Sequence, residues 1–188
     1  MRAILFVIMA LAISSCGQSA NAPRAGTGCQ RTATQSVAFS NPAAPDTITA
    51  RSNGPSCLQA FVSLEIRDSD GDPLWTLAST YYELTAGGVP PGGAPAVSDA
   101  RMDTFLTGWA KVSMMKSGAL PAWREGAPSL AASVQGFSYA TDLPRESYEM
   151  LRQRDLPLLC YAAAVEATQC LIMDPATGSP TMIVAYGP

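Results

Sequence analysis

Three aspartates alternate in the segment Asp68-Ser-Asp-Gly-Asp72, and such hard oxygen donors suit a calcium ion. The segment is shorter than an EF-hand loop, because no glutamate stands at the twelfth position. Aspartate and glycine are also favoured in hairpin turns, where their backbones adopt the required geometry. The sequence therefore favours a turn between two strands at Asp68, Asp70 and Asp72, and we predict no metal site.

Candidates for nucleophilic catalysis are few, because none of the 188 residues is a histidine. This excludes mechanisms with an imidazole base and histidine-ligated metals. Ser113-Met-Met-Lys116 resembles the short nucleophile motif of penicillin-binding proteins and serine β-lactamases, but the S-D-N and K-T-G elements of that family are missing. We predict no catalytic residue. A small envelope hydrolase using Ser113 and Lys116, or carboxylates, is kept as the alternative function.

The first sixteen residues combine a positive charge, an apolar run and a cysteine. The run Ala3–Ala12 is too short for a transmembrane helix, which needs about 20 residues. It ends in Ile13-Ser14-Ser15-Cys16, which resembles the lipobox of bacterial lipoprotein precursors. The resemblance implies that residues 1–15 are a cleaved signal peptide and that the Cys16 thiol carries the lipid. A plain signal peptide with an incidental cysteine is the alternative.

The resemblance also implies a location in the cell. Gly17 rather than aspartate follows Cys16, and in the sorting rule of enteric lipoproteins this favours the outer membrane, facing the periplasm. Two or three acyl chains anchor a protein stably to a membrane. Residues 16–28 then comprise the lipidated cysteine and a flexible tether, since the stretch is small, polar and interrupted by proline and glycine. Residues 29–188 are expected to form a single globular envelope domain.

Four further cysteines follow the tether, at Cys29, Cys57, Cys160 and Cys170. An even number in an exported chain indicates two disulfides. Of the three possible pairings we favour Cys29–Cys57, which would hold the N-terminal arm, and Cys160–Cys170, which would close one hairpin. Free buried thiols are the alternative. The chain has no C-x-x-C spacing, which argues against a thioredoxin-like centre and a zinc ribbon.

Charge is sparse, with 14% charged residues and a formal net charge of -3. Lysine and arginine form no cluster, and neutralising phosphates requires grouped cations, so nucleic-acid binding is not expected. Thioether sulfurs can ligate copper, but methionines without cysteine or histidine partners are more often core filler. We therefore predict no cofactor for the methionines at Met102, Met114, Met115 and Met150.

Alternation of apolar and polar side chains predicts the strands. It is strictest in Leu58–Arg67, and Leu74–Leu84 follows after the acidic turn as the second strand of a hairpin. A three-stranded C-terminal meander is predicted at Pro157–Val165, Thr168–Asp174 and Pro180–Tyr186. Weaker strand candidates are Thr32–Phe39, Asp46–Arg51 and Ala131–Tyr139.

Helical spacing of apolar residues predicts two helices between these groups of strands. The first follows the N-cap Ser98 and carries Met102, Leu106 and Trp109 on one face. The second begins at Pro144, which suits the start of a helix. This order of elements predicts an α+β fold, an antiparallel β-sheet with about two helices packed on one face.

The Gly/Pro-rich stretch Ala86–Ala96 is either a partner-binding loop or a solvated connection. Together with Trp109, Trp123 and Arg124 it forms the candidate partner surface, because aromatic and arginine side chains often anchor interfaces. Burial of Trp109 in the core and of Trp123 in its own loop is the alternative. We expect a lipid-anchored bacterial envelope protein that acts by binding an envelope protein, as an accessory, inhibitor or assembly factor.

Overall fold

The structure is a computed structural model that describes residues 28–130, 132–134 and 136–188. The lipobox, the lipidation site Cys16 and the tether as far as residue 27 lie outside the described residues. The predictions made for them therefore stay predictions. Within the described part of the chain, every helix is too short or too polar to cross a bilayer.

The first sheet is an antiparallel meander in which each strand pairs with the next along the chain. Its strands are β1 (Arg31–Val37), β2 (Asp46–Asn53), β3 (Phe61–Arg67) and β4 (Pro73–Thr80). The predicted alternation is observed in β3, where Val62, Leu64 and Ile66 are buried. The acidic segment joins β3 to β4 as the predicted turn.

The second sheet is also antiparallel, with strand order β5-β8-β9-β10-β7-β6. Its strands are β5 (Ser113–Lys116), β6 (Ala132–Val134), β7 (Phe137–Ala140), β8 (Pro157–Ala164), β9 (Ala167–Asp174) and β10 (Ser179–Gly187). The predicted meander is formed by β8, β9 and β10. The predicted strand Ala131–Tyr139 is wrong as one element, because Gly136, at φ +86°, turns the chain between β6 and β7.

Three α-helices are found in the described residues: α1 (Tyr81–Ala86), α2 (Asp99–Ala110) and α3 (Arg145–Gln153). The predicted cap of α2 is present, since the Ser98 hydroxyl oxygen accepts from the Arg101 N–H at 3.2 Å. Helix α1 replaces the last part of the predicted strand Leu74–Leu84. The strand ends there because the Thr80 hydroxyl oxygen accepts from the Glu83 N–H at 3.1 Å and starts a helix.

The described side chains pack into two hydrophobic cores on opposite faces of β8 and β9. The first core contains Leu159 and lies against α1, α2 and the inner face of the first sheet. The second core contains Leu158 and lies beneath α3. The α+β class is therefore observed, but not the expected single sheet with helices on one face. The reason is that β8 is apolar on both faces and needs cover on both.

The disulfides Cys29–Cys57 and Cys160–Cys170 are present, as favoured from the sequence. The first lies in the first core and ties the start of the domain to the loop before β3. The second lies in the second core and joins directly opposite residues of β8 and β9. Structural disulfides persist in oxidising environments, so the pair indicates an extracytoplasmic compartment.

Candidate functional site

A cleft of about 300 Å³ lies between α1 and the first turn of α2. The Gly/Pro-rich loop that connects the two helices forms one of its walls. We call it the α1–α2 cleft, and its lining residues are Leu58, Tyr81, Tyr82, Thr85, Ala86, Pro91, Ala94, Pro95, Ala96, Val97 and Arg101. Concave, mainly apolar surfaces with a few polar groups are where proteins usually bind ligands.

The wall formed by α1 is held rigidly by Tyr81, which is buried. Its backbone N–H donates to the carbonyl oxygen of Ala60 at 2.9 Å. Its ring meets the ring of Phe105 on α2 edge to face, with the centroids 5.0 Å apart, a favourable arrangement for two aromatic rings. The two helices that border the cleft are therefore packed directly on each other.

The loop wall has a defined shape because its turns use glycine and proline. Gly87, at φ +71°, ends α1 and its N–H donates to the Glu83 carbonyl oxygen at 3.2 Å. The next turn runs from Pro91 to Ala94, whose N–H donates to the Pro91 carbonyl oxygen at 3.0 Å. Gly93, at φ +82°, supplies the positive φ that a type II turn needs at its third residue.

Two side chains give the α1–α2 cleft its chemistry. The half-buried ring of Tyr82 offers apolar surface and a hydroxyl group, and the exposed Arg101 adds a cation. Arginine can hold a carboxylate through two parallel hydrogen bonds. The arrangement is suited to an apolar segment that carries an acidic group. Tyr82 is absent from the predicted site because the alternation in Leu74–Leu84 predicts one continuous strand there. The signal for a helix start is Thr80-Tyr-Tyr-Glu83, which fits the S/T-x-x-E pattern.

The predicted partner surface is not assembled as one patch, because Trp109 is only 6% exposed. Its ring stacks on Phe105, and its indole N–H donates to the Ala162 carbonyl oxygen of β8 at 2.8 Å. Trp109 therefore belongs to the first core, whereas Trp123 packs against the second core. Including Trp109 in a partner surface was wrong. A tryptophan with its N–H bonded inside the fold has no polar group left to offer a partner.

Trp123 anchors its own loop, as the alternative interpretation proposed. Its indole N–H donates to the Ala127 carbonyl oxygen at 3.0 Å, and its backbone N–H donates to a Glu149 carboxylate oxygen at 2.6 Å. Burial raises the pKa of Glu149, but the hydrogen bonds from Trp123 and Arg152 outweigh it, so the pKa lies below its ordinary value. Arg124 remains exposed beside this anchor.

The Ser113–Lys116 pair lies on β5 rather than on a helix. Because side chains alternate along a strand, residues three apart point to opposite faces. Ser113 instead lines a cleft of about 220 Å³ together with Lys111. The described structure therefore does not assemble a serine–lysine dyad from Ser113 and Lys116.

The acidic turn uses its first carboxylate to hold the backbone. One oxygen of Asp68 accepts from the N–H groups of Asp70 at 3.0 Å and Asp72 at 2.8 Å, which supports the turn interpretation. Elsewhere in the described residues, Cys29, Cys57 and Asp99 bring potential metal-ligating atoms together. The two sulfurs are joined in a disulfide, so they do not provide the thiolates that bind metals.

Comparison of the chain with protein-family models, with curated proteins and with solved structures finds no match.

Proposed function

We propose that the chain is a lipid-anchored protein of the bacterial envelope that binds another envelope protein through the α1–α2 cleft. The anchor is Cys16, and the lipobox pattern and Gly17 favour the outer membrane, facing the periplasm. The disulfides support an oxidising compartment. Accessory, inhibitory and assembly roles all use binding of this kind.

The single observation that carries the binding role is the shape and chemistry of the cleft. Tyr81 fixes the α1 wall, and backbone hydrogen bonds at Gly87 and Ala94 close two turns of the loop wall, so part of the binding shape is formed before a partner enters. Its surface offers Tyr82 and Arg101, two residue types that often dominate interface energies. We expect the partner segment to place an apolar side chain between the helices and a carboxylate near Arg101.

Site-specific cross-linking in the native envelope tests the proposal. A photoreactive benzoylphenylalanine replaces Tyr82 in the cleft, and the control places it at Phe137, which is 41% exposed in the second sheet. We expect a specific protein adduct from position 82 only. Equal labelling from both positions, or no protein adduct from position 82, would contradict the binding role of the cleft.

Two exposed arginines provide a matched pair of variants. Arg101→Ala removes the cation beside the cleft, whereas Arg124→Ala removes one from the Trp123 loop. We expect Arg101→Ala to reduce the position-82 adduct about tenfold or more, the cost of truncating a hot-spot arginine, and Arg124→Ala to leave it unchanged. Neither should lower the melting temperature appreciably, since both side chains are exposed. An adduct lost only in Arg124→Ala would transfer the binding role to the Trp123 loop.

Lipid anchoring is tested separately by mass spectrometry of the native protein. We expect acyl chains on a mature chain that begins at Cys16, and an uncleaved precursor in the Cys16→Ala variant. An unmodified chain that begins at another residue would contradict the anchor, while leaving the binding role of the cleft to the cross-linking experiment.

A further inference from the structure

The chain enters the domain at one end of the first sheet. The Cys29 N–H donates to the Gly54 carbonyl oxygen at 2.8 Å, and Cys29 is bonded to Cys57. Arg31, the first residue of β1, pairs with Ser52 near the end of β2. Residues 54–60, which connect β2 to β3, therefore lie at the end of the first sheet where the chain enters the domain.

Phe61 lies at this same end, as the first residue of β3. Its cross-strand neighbours are Asn53 and Thr80, and its side chain is 68% exposed. It points to the outer face of the first sheet, because the next residue, Val62, is buried in the first core. A large aromatic side chain thus projects into solvent beside the point where the tether arrives.

The outer face around Phe61 forms a shallow cleft of about 520 Å³ that is lined by both apolar and polar groups. Arg51 lines it with a side chain that is 57% exposed, although one of its nitrogens lies 3.5 Å from a Glu65 carboxylate oxygen. Further polar groups in the lining are Gln30, Thr32, Asn53 and Ser63. The edge therefore combines one aromatic ring, the guanidinium group of Arg51 and uncharged hydrogen-bonding groups. The second guanidinium group of the lining, that of Arg31, is paired with Asp99 and Asp103.

The length of the tether limits how far this edge can lie from the membrane. Twelve residues, Gly17–Gly28, separate Cys16 from Cys29, the cysteine that is fixed to Cys57. Even when fully extended, a chain of this length spans only about 40 Å. The edge that carries Phe61 therefore stays close to the bilayer, where the effective concentration of lipid is high enough for weak contacts to form.

From this juxtaposition we infer that Phe61, Arg51 and Asn53 form a docking edge for the phospholipid surface. Phenylalanine is among the apolar side chains that membrane-surface segments bury in the interface, and guanidinium groups form strong hydrogen bonds with phosphate. The contact rests on the proposed anchor at Cys16, because one exposed ring is too small to hold a domain on a membrane. Its effect is to orient the domain, with the Phe61 edge towards the lipid.

The depth of position 61 in a bilayer tests the docking edge. The acylated full-length chain, verified by mass, is inserted into vesicles of phosphatidylethanolamine and phosphatidylglycerol that contain brominated phospholipid. Phe61→Trp is compared with Phe137→Trp, an exposed phenylalanine in the second sheet. We expect bromine to quench about half or more of the emission added at position 61 and to leave that added at position 137 nearly unchanged.

The outcomes separate this inference from the proposed function. Equal quenching at the two positions in an acylated chain would overturn the docking edge and leave the lipid anchor intact. A native chain without acyl groups on Cys16 would overturn both. If position 61 is unquenched in vesicles but becomes shielded from aqueous iodide in whole envelopes, a protein covers the edge, and the lipid assignment is wrong. In the double variant Phe61→Trp/Arg51→Ala, we expect bromine to quench a smaller fraction of the emission from position 61, because the contact between Arg51 and phosphate is lost.

Discussion

The two hydrophobic cores share the wall formed by β8 and β9 but differ in how far apart their parts lie in the sequence. The first core joins residues such as Cys29 and Leu64 to Leu171, near the C-terminus. The second core begins only at Leu120 and is completed within the last third of the chain. The first core therefore forms only when segments from both ends of the domain come together, whereas the residues of the second core lie closer together in the sequence.

Strands β8 and β9 contribute side chains to both cores, so their pairing affects both. Leu158 and Leu159 are neighbours on β8, and both are fully buried, yet they face different cores. Any change of register in β8 by one residue would exchange the two faces. The pairing of β8 with β9 thus determines at once which side chains close the long-range core and which lie beneath α3.

The largest expected effect comes from truncating these two leucines separately. Leu158→Ala and Leu159→Ala should each lower the free energy of unfolding by about 2–5 kcal/mol, because each leaves a cavity in a packed core. Fluorotryptophan NMR should separate them. We expect Leu159→Ala to shift the resonances of Trp75 and Trp109, and Leu158→Ala to shift that of Trp123. If both variants shift the same resonances, the division into two cores is wrong.

Removing the disulfides compares the long-range and the local closure directly. The bonded cysteines are separated by 28 residues in Cys29–Cys57 and by 10 in Cys160–Cys170. Loop-closure entropy predicts stabilisations of about 3.6 and about 2.7 kcal/mol. Denaturant unfolding of the two double Cys→Ser variants measures both values. A larger loss from the pair at 160 and 170 would contradict the entropic explanation.

Two buried hydroxyl groups sharpen the comparison. The Ser117 hydroxyl donates to the Leu151 carbonyl oxygen and accepts from the Leu156 N–H, both at 2.9 Å, and so ties α3 to β5. The Ser52 hydroxyl accepts from the Arg31 N–H at 3.1 Å and donates to the Cys29 carbonyl oxygen at 3.3 Å. Both bonds are longer than those of Ser117, and strand pairing and the Cys29–Cys57 disulfide already hold this segment. Ser117→Ala should lower the free energy of unfolding by about 1–3 kcal/mol, and Ser52→Ala should lower it by less. Urea midpoints in the reverse order would contradict this assignment.

The smallest effect at neutral pH is expected from Tyr148→Phe and Tyr161→Phe, one in each core. Each removes a hydrogen bond of 2.7 Å, to Pro121 and Gln169 respectively, at a cost of about 0.5–1.5 kcal/mol. Burial raises the pKa of both phenols above the ordinary value. Their stabilisation is therefore complete below about pH 10 and is lost as the pH rises above it.

Urea unfolding in a series of buffers on either side of about pH 10 measures this dependence. We expect the stability of the wild-type chain to fall more steeply with pH than that of either phenylalanine variant, because the unfolded state of the variants has one phenol fewer to ionise. If the free energy of unfolding depends on pH in the same way in all three proteins, burial in the core does not raise the pKa of either phenol.

Local features of the sequence predicted most elements of the fold. Strict alternation placed β3 correctly, and the Ser98 cap and Pro144 placed the starts of α2 and α3. Helix α1 was missed because six residues offer too little periodicity to distinguish a helix from a strand. The candidate site was predicted only in its loop, Ala86–Ala96, since Tyr82 and Arg101 join it through the packing of α1 on α2.

The sequence by itself determined the strand and helix periods, the turn at Asp68 and the cysteines that could pair, because these depend on side chains close together in the chain. Only the tertiary structure decided that Trp109 is a core residue while Phe61 stays exposed. Burial depends on which distant segment arrives: β8 brings the Ala162 carbonyl to Trp109, and no described element covers Phe61. An aromatic side chain is therefore part of the core at Trp109 and exposed on the sheet surface at Phe61.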